Sequence, residues 1–386
     1  MFRRDKPIMK MGLQLRAALL VWCLVSSVVA GAQVGQITGV VMDAETLEPL
    51  PFANVFINNT TVGAPSDEKG NFYLKNVPAG VHEVVFSFVG YQPYQTHVTV
   101  HDQEIVKLNV RMVPEEMQLA SVEVQGKRDK RWEKQLDEFT TYFIGSGRVA
   151  RKCRITNPWV LDFTEKQDHF EKSMHATASG PLEIENLALG YKITCILQGF
   201  VASSKAYSIL GKYRYVEMTT DDEKVAKQWT ENRYEAYEGS LRHLFASLVT
   251  GNLKEQGFLM YNDNPSVPNS SARSNIFGNN LGKNVIPLTL VNVLKRGETP
   301  DEYVFNFKGR LEVHYINGTA MRPYYKDIPY PVSWIEVKEP LHLSRNGVVW
   351  NSAGFVTSGA MSEARVAEML PLDYQPFQKV TAKGKE

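Results

Sequence analysis

The sequence predicts a mainly β protein, a small N-terminal β-sandwich followed by a larger β-rich α+β domain. Three observations carry that expectation. From Gln36 onward, short runs rich in β-branched and aromatic residues alternate with turn residues. One helical block, from Lys224 to Leu248, interrupts the β pattern of the second half. The 386 residues exceed what one ordinary core holds, since domains cluster at roughly 100–200 residues, so at least two folding units are expected.

The start of the chain reads differently from the rest. Arg3, Arg4, Lys6, Lys10 and Arg16 precede an uncharged apolar run from Ala17 to Ala30, shorter than the ~20 residues that span a bilayer. Ala30, Gly31 and Ala32 supply small residues for cleavage before Gln33, so residues 1–32 are expected to be a secretory signal peptide. Cys23 lies inside the run behind Trp22, which argues against a lipid-modified cysteine. No later segment is long and apolar enough for a transmembrane helix. A formal net charge of +1 gives no long-range field for nucleic acid. Beyond residue 32 only Cys153 and Cys195 remain, a pair that allows one disulfide in an oxidising compartment or, equally, two buried thiols.

The first mature domain is expected over residues 33–113. Gln36 to Met42 reads as a strand and Asp43 to Thr46 as a turn; Ala53 to Ile57 places Val55 and Ile57 on one face at period two. Asn58 to Thr61 is polar and turn-like. In Ser66 to Asn71, Asp67 can accept from backbone amides ahead of it and Gly70 can take a positive φ. Phe72 to Leu74 follows as a strand, Val77 to Gly80 as a turn, Val84 to Val89 as an apolar strand, Gly90 to Pro93 as a kink, then Thr96 to Val100 and Val106 to Met112 as closing strands.

The stretch from Gly39 to Val55, then Ser66 to Phe72, Val77 to Gly80 and Phe88 to Tyr91, resembles the carboxypeptidase-regulatory-like domain. That resemblance covers about eighty residues, a size adequate for one small sandwich. It implies a seven-stranded, transthyretin-like Greek-key sandwich that accompanies varied partners in envelope proteins of Bacteroidetes-type bacteria. The family name records a neighbour of certain peptidases and not an activity of the module.

One pattern bears on a peptidase. His101 and Glu104 have the His-x-x-Glu form of a zinc carboxypeptidase, with His243 as a distant third ligand. His101 to Glu104 falls between two strands of the sandwich, where a solvated loop belongs, and His243 falls in a helical stretch of another domain, so no metal site is assigned. No zinc helix, phosphate-binding loop or nucleophile elbow is present, and Gly278 to Gly282 reads as a loop. No catalytic residue and no cofactor are assigned.

Residues 114–142 read as a linker, with Leu119 to Gln125 as one further strand. The basic run of Lys127, Arg128, Lys130, Arg131 and Lys134 is an exposed linker or the start of a helix ending near Phe143; without aromatic interleaving it makes no nucleic-acid site. The sandwich followed by this strand also resembles the start of TonB-dependent outer-membrane receptors, but the remaining residues are far too few for a 22-stranded barrel.

Residues 143–386 are expected to form the second domain, with strands at Ala176 to Ser179, Leu182 to Glu185, Gly190 to Leu197, Tyr213 to Met218, Tyr303 to Phe307, Arg310 to Tyr315 and Trp334 to Val337. Asp221 or Asp222 caps the first helix and Gly239-Ser240 breaks and recaps it. Asn317-Gly318 and Asn346-Gly347 mark hairpin turns, and Phe355 and Ala367 to Leu370 finish in a short helical piece. The stretches Asn157-Pro158, Trp229 to Ser240 and Leu370 to Tyr374 resemble the region that follows such modules in Bacteroidetes proteins, which implies an architecture and an envelope setting but no chemistry. Arg233, Tyr234, Tyr237 and Arg242 form a candidate ligand surface, set against the plainer reading of an aromatic core stripe edged by basic side chains. The function expected is that of a non-catalytic cell-envelope binding or assembly protein whose partner is an envelope protein or a glycan. The alternative is an envelope hydrolase or peptidase with its site in the second domain, using Asp162, Glu165, His169 or His175.

Overall fold

The computed structural model describes residues 34–115, 130–167, 172–203, 207–263, 285–287, 293–298, 302–320, 324–325 and 328–376. The chain is mainly β. Its first unit contains β1 (Val34–Asp43), β2 (Asn54–Ile57), β3 (Gly63–Pro65), β4 (Asn71–Pro78), β5 (Gly80–Ser87), β6 (Tyr94–Val100), β7 (Ile105–Lys107) and β8 (Val110–Met112). Both β7 and β8 pair in parallel with β1 in one continuous register, Thr38 opposite Lys107 and Val41 opposite Val110, so they are one strand interrupted at Leu108 and Asn109. The result is a seven-stranded sandwich of two sheets, β4-β1-β7/β8 against β3-β2-β5-β6.

The alternation read from the sequence decides which side chains fill it. Ile37, Val41, Val55, Ile57, Phe72, Leu74, Val84 and Phe86 are buried between the sheets, with Phe72 edge-on to Phe86 at 5.4 Å. The Asp67 turn forms as expected, its carboxylate accepting from the Lys69 and Asn71 amides at 2.8 Å. Gly70 has φ 74°, and a Cβ there would lie 2.5 Å from the Val41 carbonyl oxygen, so only glycine fits. Asp43 accepts from the Glu45 and Thr46 amides and from the Tyr91 hydroxyl at 2.6 Å. Led by the Tyr91 bond, these hold its carboxyl below the usual range and push Tyr91 up to about 12.

Two expectations in this unit are corrected. Val77 and Pro78 belong to β4 and not to a turn, since Pro78 sits opposite Val34 at the strand end, where its missing N–H costs little. The chain then reverses at Ala79 into a β5 that begins at Gly80.

The second region holds two hydrophobic clusters. The first is built on β9 (Cys153–Ile155), β10 (Leu161–Gln167), β11 (Lys172–Ala178), β12 (Leu182–Asn186), β13 (Tyr191–Ser203) and β14 (Tyr207–Glu217), with β13 central and β14 along its other side. Helix α1 (Lys130–Phe143) packs here through Phe139 and Phe143, Phe139 lying 4.7 Å from the Phe200 ring. Of the two readings of the basic run, the helix ending near Phe143 is the one that forms, from Lys130, and it belongs to this core. Helix α2 (Glu223–Tyr237) is capped by Asp222, and α3 (Leu241–Thr250) by Ser240, as expected.

Helix α3 buries Leu244, Phe245 and Leu248 in the last cluster. That cluster is completed by β15 (Phe258–Asp263), which also pairs with β16 (Val285–Pro287), and by β17 (Leu294–Arg296), β18 (Glu302–Phe305), β19 (Gly309–Tyr315), β20 (Val332–Val337), β21 (Leu341–Ser344) and β22 (Phe355–Gly359). Phe355, expected in a helical piece, opens β22 opposite Val337, and of the expected Ala367 to Leu370 piece a single helical turn forms at Val366–Glu368. The Leu119 to Gln125 strand, the basic residues Lys127 and Arg128, the Gly278 to Gly282 loop and His169 lie outside the described residues. No helix among the described residues is long and apolar enough to cross a membrane.

Cys153 and Cys195 are separate buried thiols. Cys153 faces Asn186 and Cys195 faces Leu182, so β12 lies between them and they are offset by four residues along it. Strand spacing and rise put them on the order of 16 Å apart, against the ~7 Å Cα limit for a disulfide. Burial pushes both thiols up to about 12. Iodoacetamide at pH 8 without reductant is therefore expected to label neither cysteine in the folded chain and both after denaturation. A native mass lacking two protons would contradict this.

Candidate functional site

The sandwich is fixed to the central sheet through the turn between β2 and β3. The Asn58-Asn59-Thr60-Thr61 sequence favours that turn: Asn59 adopts φ 60°, which asparagine tolerates, and the Thr60 hydroxyl donates to the Ile57 carbonyl. The turn then completes the open edge of β14. Asn59 N–H donates to the Tyr213 carbonyl at 2.7 Å, Tyr215 N–H to the Thr60 carbonyl at 3.0 Å, and Tyr213 N–H to Asn58 Oδ1 at 2.9 Å. Covering a strand edge in this way satisfies groups that would otherwise invite foreign pairing.

Beside the turn, the outer face of the β2–β5 sheet lies on the outer face of β13 and β14. Phe56, Val85 and Ile196 form a small buried apolar cluster there. Lys212 pairs with Glu83 at 2.6 Å, their side chains 16% and 17% exposed, and Asn58 Nδ2 donates to the other Glu83 oxygen. Arg214 donates to Asn54 Oδ1 at 2.8 Å.

A C-terminal strap, residues 371–374, closes the joint. Arg242 on α3 donates to the Pro371 carbonyl at 2.9 Å and to the Tyr374 carbonyl at 2.6 Å. From the other side, Leu372 N–H donates to the Asn59 carbonyl at 2.7 Å, and Asp373 accepts from the Thr61 amide and hydroxyl. The strap thus ties the sandwich turn to α3.

At the mouth of this joint a groove of about 440 Å³ opens, lined by Thr61, Val62, Gly63, Tyr73, Leu74, Lys75, Asn76 and Asp373. Tyr73 is 57% exposed, and Asn76 is held at φ 56°. The Tyr73 hydroxyl, the Lys75 ammonium and the Asn76 amide bond to no described residue, while Thr61 fixes the Asp373 carboxylate. The groove therefore offers an open aromatic ring, unengaged donors and a fixed acceptor. Sequence reasoning missed these residues. The one local signal was Asn76, a residue type that tolerates the left-handed region, within a run read as strand and turn.

The four residues read as a candidate ligand surface hold the structure together instead. Arg233 donates to the Leu189 and Gly190 carbonyls and lies 4.1 Å over the Tyr191 ring. Tyr237 is buried against His243 and Tyr374, Tyr234 is hydrogen-bonded to Glu238, and Arg242 clamps the strap. Backbone carbonyls engage both guanidinium groups, and of the two tyrosines Tyr237 is buried and Tyr234 half-buried.

The zinc-like pattern separates in the same way. His101 and Glu104 close the turn between β6 and β7, His101 N–H donating to Glu104 Oε2 at 2.8 Å. His243 is buried, with Gly239 N–H directed at Nδ1 and Nε2 against Gln256 Oε1. Of the residues named for a hydrolase, Glu165 is paired with Arg131 and Lys172, and His175 with Ser173. Asp162 lies opposite Thr177 in the β10–β11 ladder.

A second polar cluster, unread in the sequence, lies on the outer face of the β15–β19–β20 sheet. Glu312 and His314 are 2.7 Å apart and fully or almost fully buried. Glu312 also accepts from Tyr325 at 2.8 Å and Trp334 at 3.0 Å, and Tyr261 and Tyr330 pack on His314. The acid fastens the loop after β19 onto the sheet. His314 is fully buried within it.

Residues 37–124 match the family model of the CarboxypepD_reg-like domain, so the chain carries such a domain. The match runs to Val124, through all but the last residue of the Leu119 to Gln125 stretch expected as a further strand. TonB-dependent receptor SusC of Bacteroides thetaiotaomicron is 36% identical over 89 residues, 23% of this chain and 9% of that receptor. The chain thus matches under a tenth of its curated relative's length. Among solved structures, the group B streptococcus pilus 2b backbone protein is similar over 21% of this chain and 42% of its own, at 16% identity and a TM-score of 0.19. A cohesin–X-dockerin complex from Acetivibrio cellulolyticus is similar over 28% and 74%, at 19% identity and a TM-score of 0.20.

Proposed function

We propose that this chain is a non-catalytic cell-envelope binding or assembly protein, exported to the periplasm or the outer membrane. In this reading the CarboxypepD_reg-like sandwich and the second region act as one rigid platform. The observation that carries the reading is the joint itself. The sandwich is held by backbone hydrogen bonds at the edge of β14, a partly buried ion pair and a strap, while the groove beside it stays open with unengaged polar groups. A fixed, pre-formed recess suits recognition, because little ordering cost opposes binding.

The test is co-sedimentation of the purified full chain with a washed envelope fraction, run beside assays on model ester, peptide and glycoside substrates. Saturable retention without product release is expected. Turnover of any of those substrates, lost on substitution of a single second-region side chain, would overturn the reading in favour of a hydrolase.

A further inference from the structure

We infer that the groove at the joint is a saccharide-binding site, with Tyr73 as the stacking platform and Lys75, Asn76 and Asp373 as the hydrogen-bonding groups. The inference rests on the binding reading above and names its ligand class. A sugar ring presents an apolar C–H face and a rim of hydroxyls, each both donor and acceptor. It is recognised by an exposed aromatic face combined with mixed polar groups.

The groove has that combination. Tyr73 keeps 57% of its surface open although it sits within a regular strand, where Phe72 and Leu74 on either side are buried. An exposed aromatic of this kind is rigid, with few rotamers to lose on contact. Asn76, held at φ 56°, carries an amide with both a donor and an acceptor end, a fit for adjacent hydroxyls. The Asp373 carboxylate is fixed by two bonds from Thr61 and so is pre-positioned as an acceptor.

The charges argue against other small ligands. The lining holds one ammonium, Lys75, and one carboxylate, Asp373, so the recess has no net charge to select an anion. Its apolar lining is limited to Val62, Leu74 and the Tyr73 ring, too little for a lipid chain. A volume of about 440 Å³ falls at the small end of ligand sites, roughly 300–1,000 Å³, and suits the end of an oligosaccharide.

The test is affinity electrophoresis of the full chain in gels holding a soluble α-glucan, a β-glucan, a mannan or, as polyanion control, dextran sulfate. Retardation by at least one neutral polysaccharide is expected. Tyr73→Ala should weaken it about tenfold or more, Lys75→Ala less, and Tyr73→Phe hardly at all, because the ring and not the hydroxyl carries the stacking. Tyr73 and Lys75 are exposed, and unchanged melting curves would show that the variants fold. Retardation unaltered by Tyr73→Ala would overturn the groove while leaving a binding protein. Retardation by dextran sulfate alone, or by nothing in the panel, would overturn the saccharide class, with envelope co-sedimentation still deciding the broader reading. Release of reducing ends would overturn the non-catalytic reading itself.

Discussion

Replacing Glu312 with alanine is expected to destabilise the last cluster by about 3–5 kcal/mol, since it strips the acceptor from three buried donors at ~1–3 kcal/mol each. The carboxylate is 3% exposed and accepts from His314, Tyr325 and Trp334. Alanine would leave these donors facing one another without an acceptor, and the loop carrying Tyr324 and Tyr325 would lose its attachment to Trp334. Glu312→Gln keeps the shape and one acceptor oxygen, so its cost should be smaller, about 1–2 kcal/mol. Urea unfolding followed by tryptophan fluorescence measures both. A loss below ~1 kcal/mol for the alanine variant would show that the cluster is not a fastening.

The same group sets a pH signature. Desolvation acts to raise the Glu312 pKa, but the bonds from His314, Tyr325 and Trp334 outweigh it and hold the pKa below the ordinary glutamate value. Because the folded pKa is depressed, the stabilisation is fully present above the unfolded value of ~4.3 and is lost as pH falls through the folded one. The stability gap between the wild type and Glu312→Gln should therefore stay constant above about pH 5 and narrow below it.

The second large effect is expected at Ile196. This side chain is buried against Phe56 and Val85, where the sandwich meets β13. Ile196→Asp would place a carboxylate in an apolar contact, opposite a Lys212 ammonium that already pairs with Glu83, so two acids would compete for one cation at a cost of several kcal/mol unless the surfaces part. The sandwich and the central sheet have separate hydrophobic clusters, so parting is the cheaper response. The variant is expected to keep its β-sheet circular dichroism while limited proteolysis opens new cuts near Asn58 to Thr61 and residues 371–374. Unchanged proteolysis together with a full loss of stability would show that the cores melt as one.

The parts of this structure legible in the sequence are those decided within a few residues. Period-two alternation located the sandwich strands, the Asp67–Gly70 pair specified its turn, and Asp222 and Ser240 started the helices where their side chains accept from backbone amides. The joint was not legible, because its donors and acceptors are far apart in the chain. Asn59 finds Tyr213, and Arg242 finds Pro371 and Tyr374. Basic and aromatic residues near α2 looked like a ligand surface for the same reason: the backbone carbonyls that engage them cannot be read from spacing. The two cysteines shared that fate, since only strand order shows β12 between them. Glu312 and His314 did leave a trace. Two ionisable residues at period two, between Leu311, Val313 and Tyr315, placed both on one face of a strand whose other face is core.

The central claim is that the sandwich and the second region form one fixed unit, and hydrogen exchange at the joint tests it most directly. In the intact chain, peptides reporting the Asn59 and Tyr215 amides should exchange as slowly as those covering the sandwich core at Val84 to Phe86, because both amides bond across the joint. Exchange of these amides within seconds, while the core stays protected, would contradict the account and leave the sandwich a loosely tethered module.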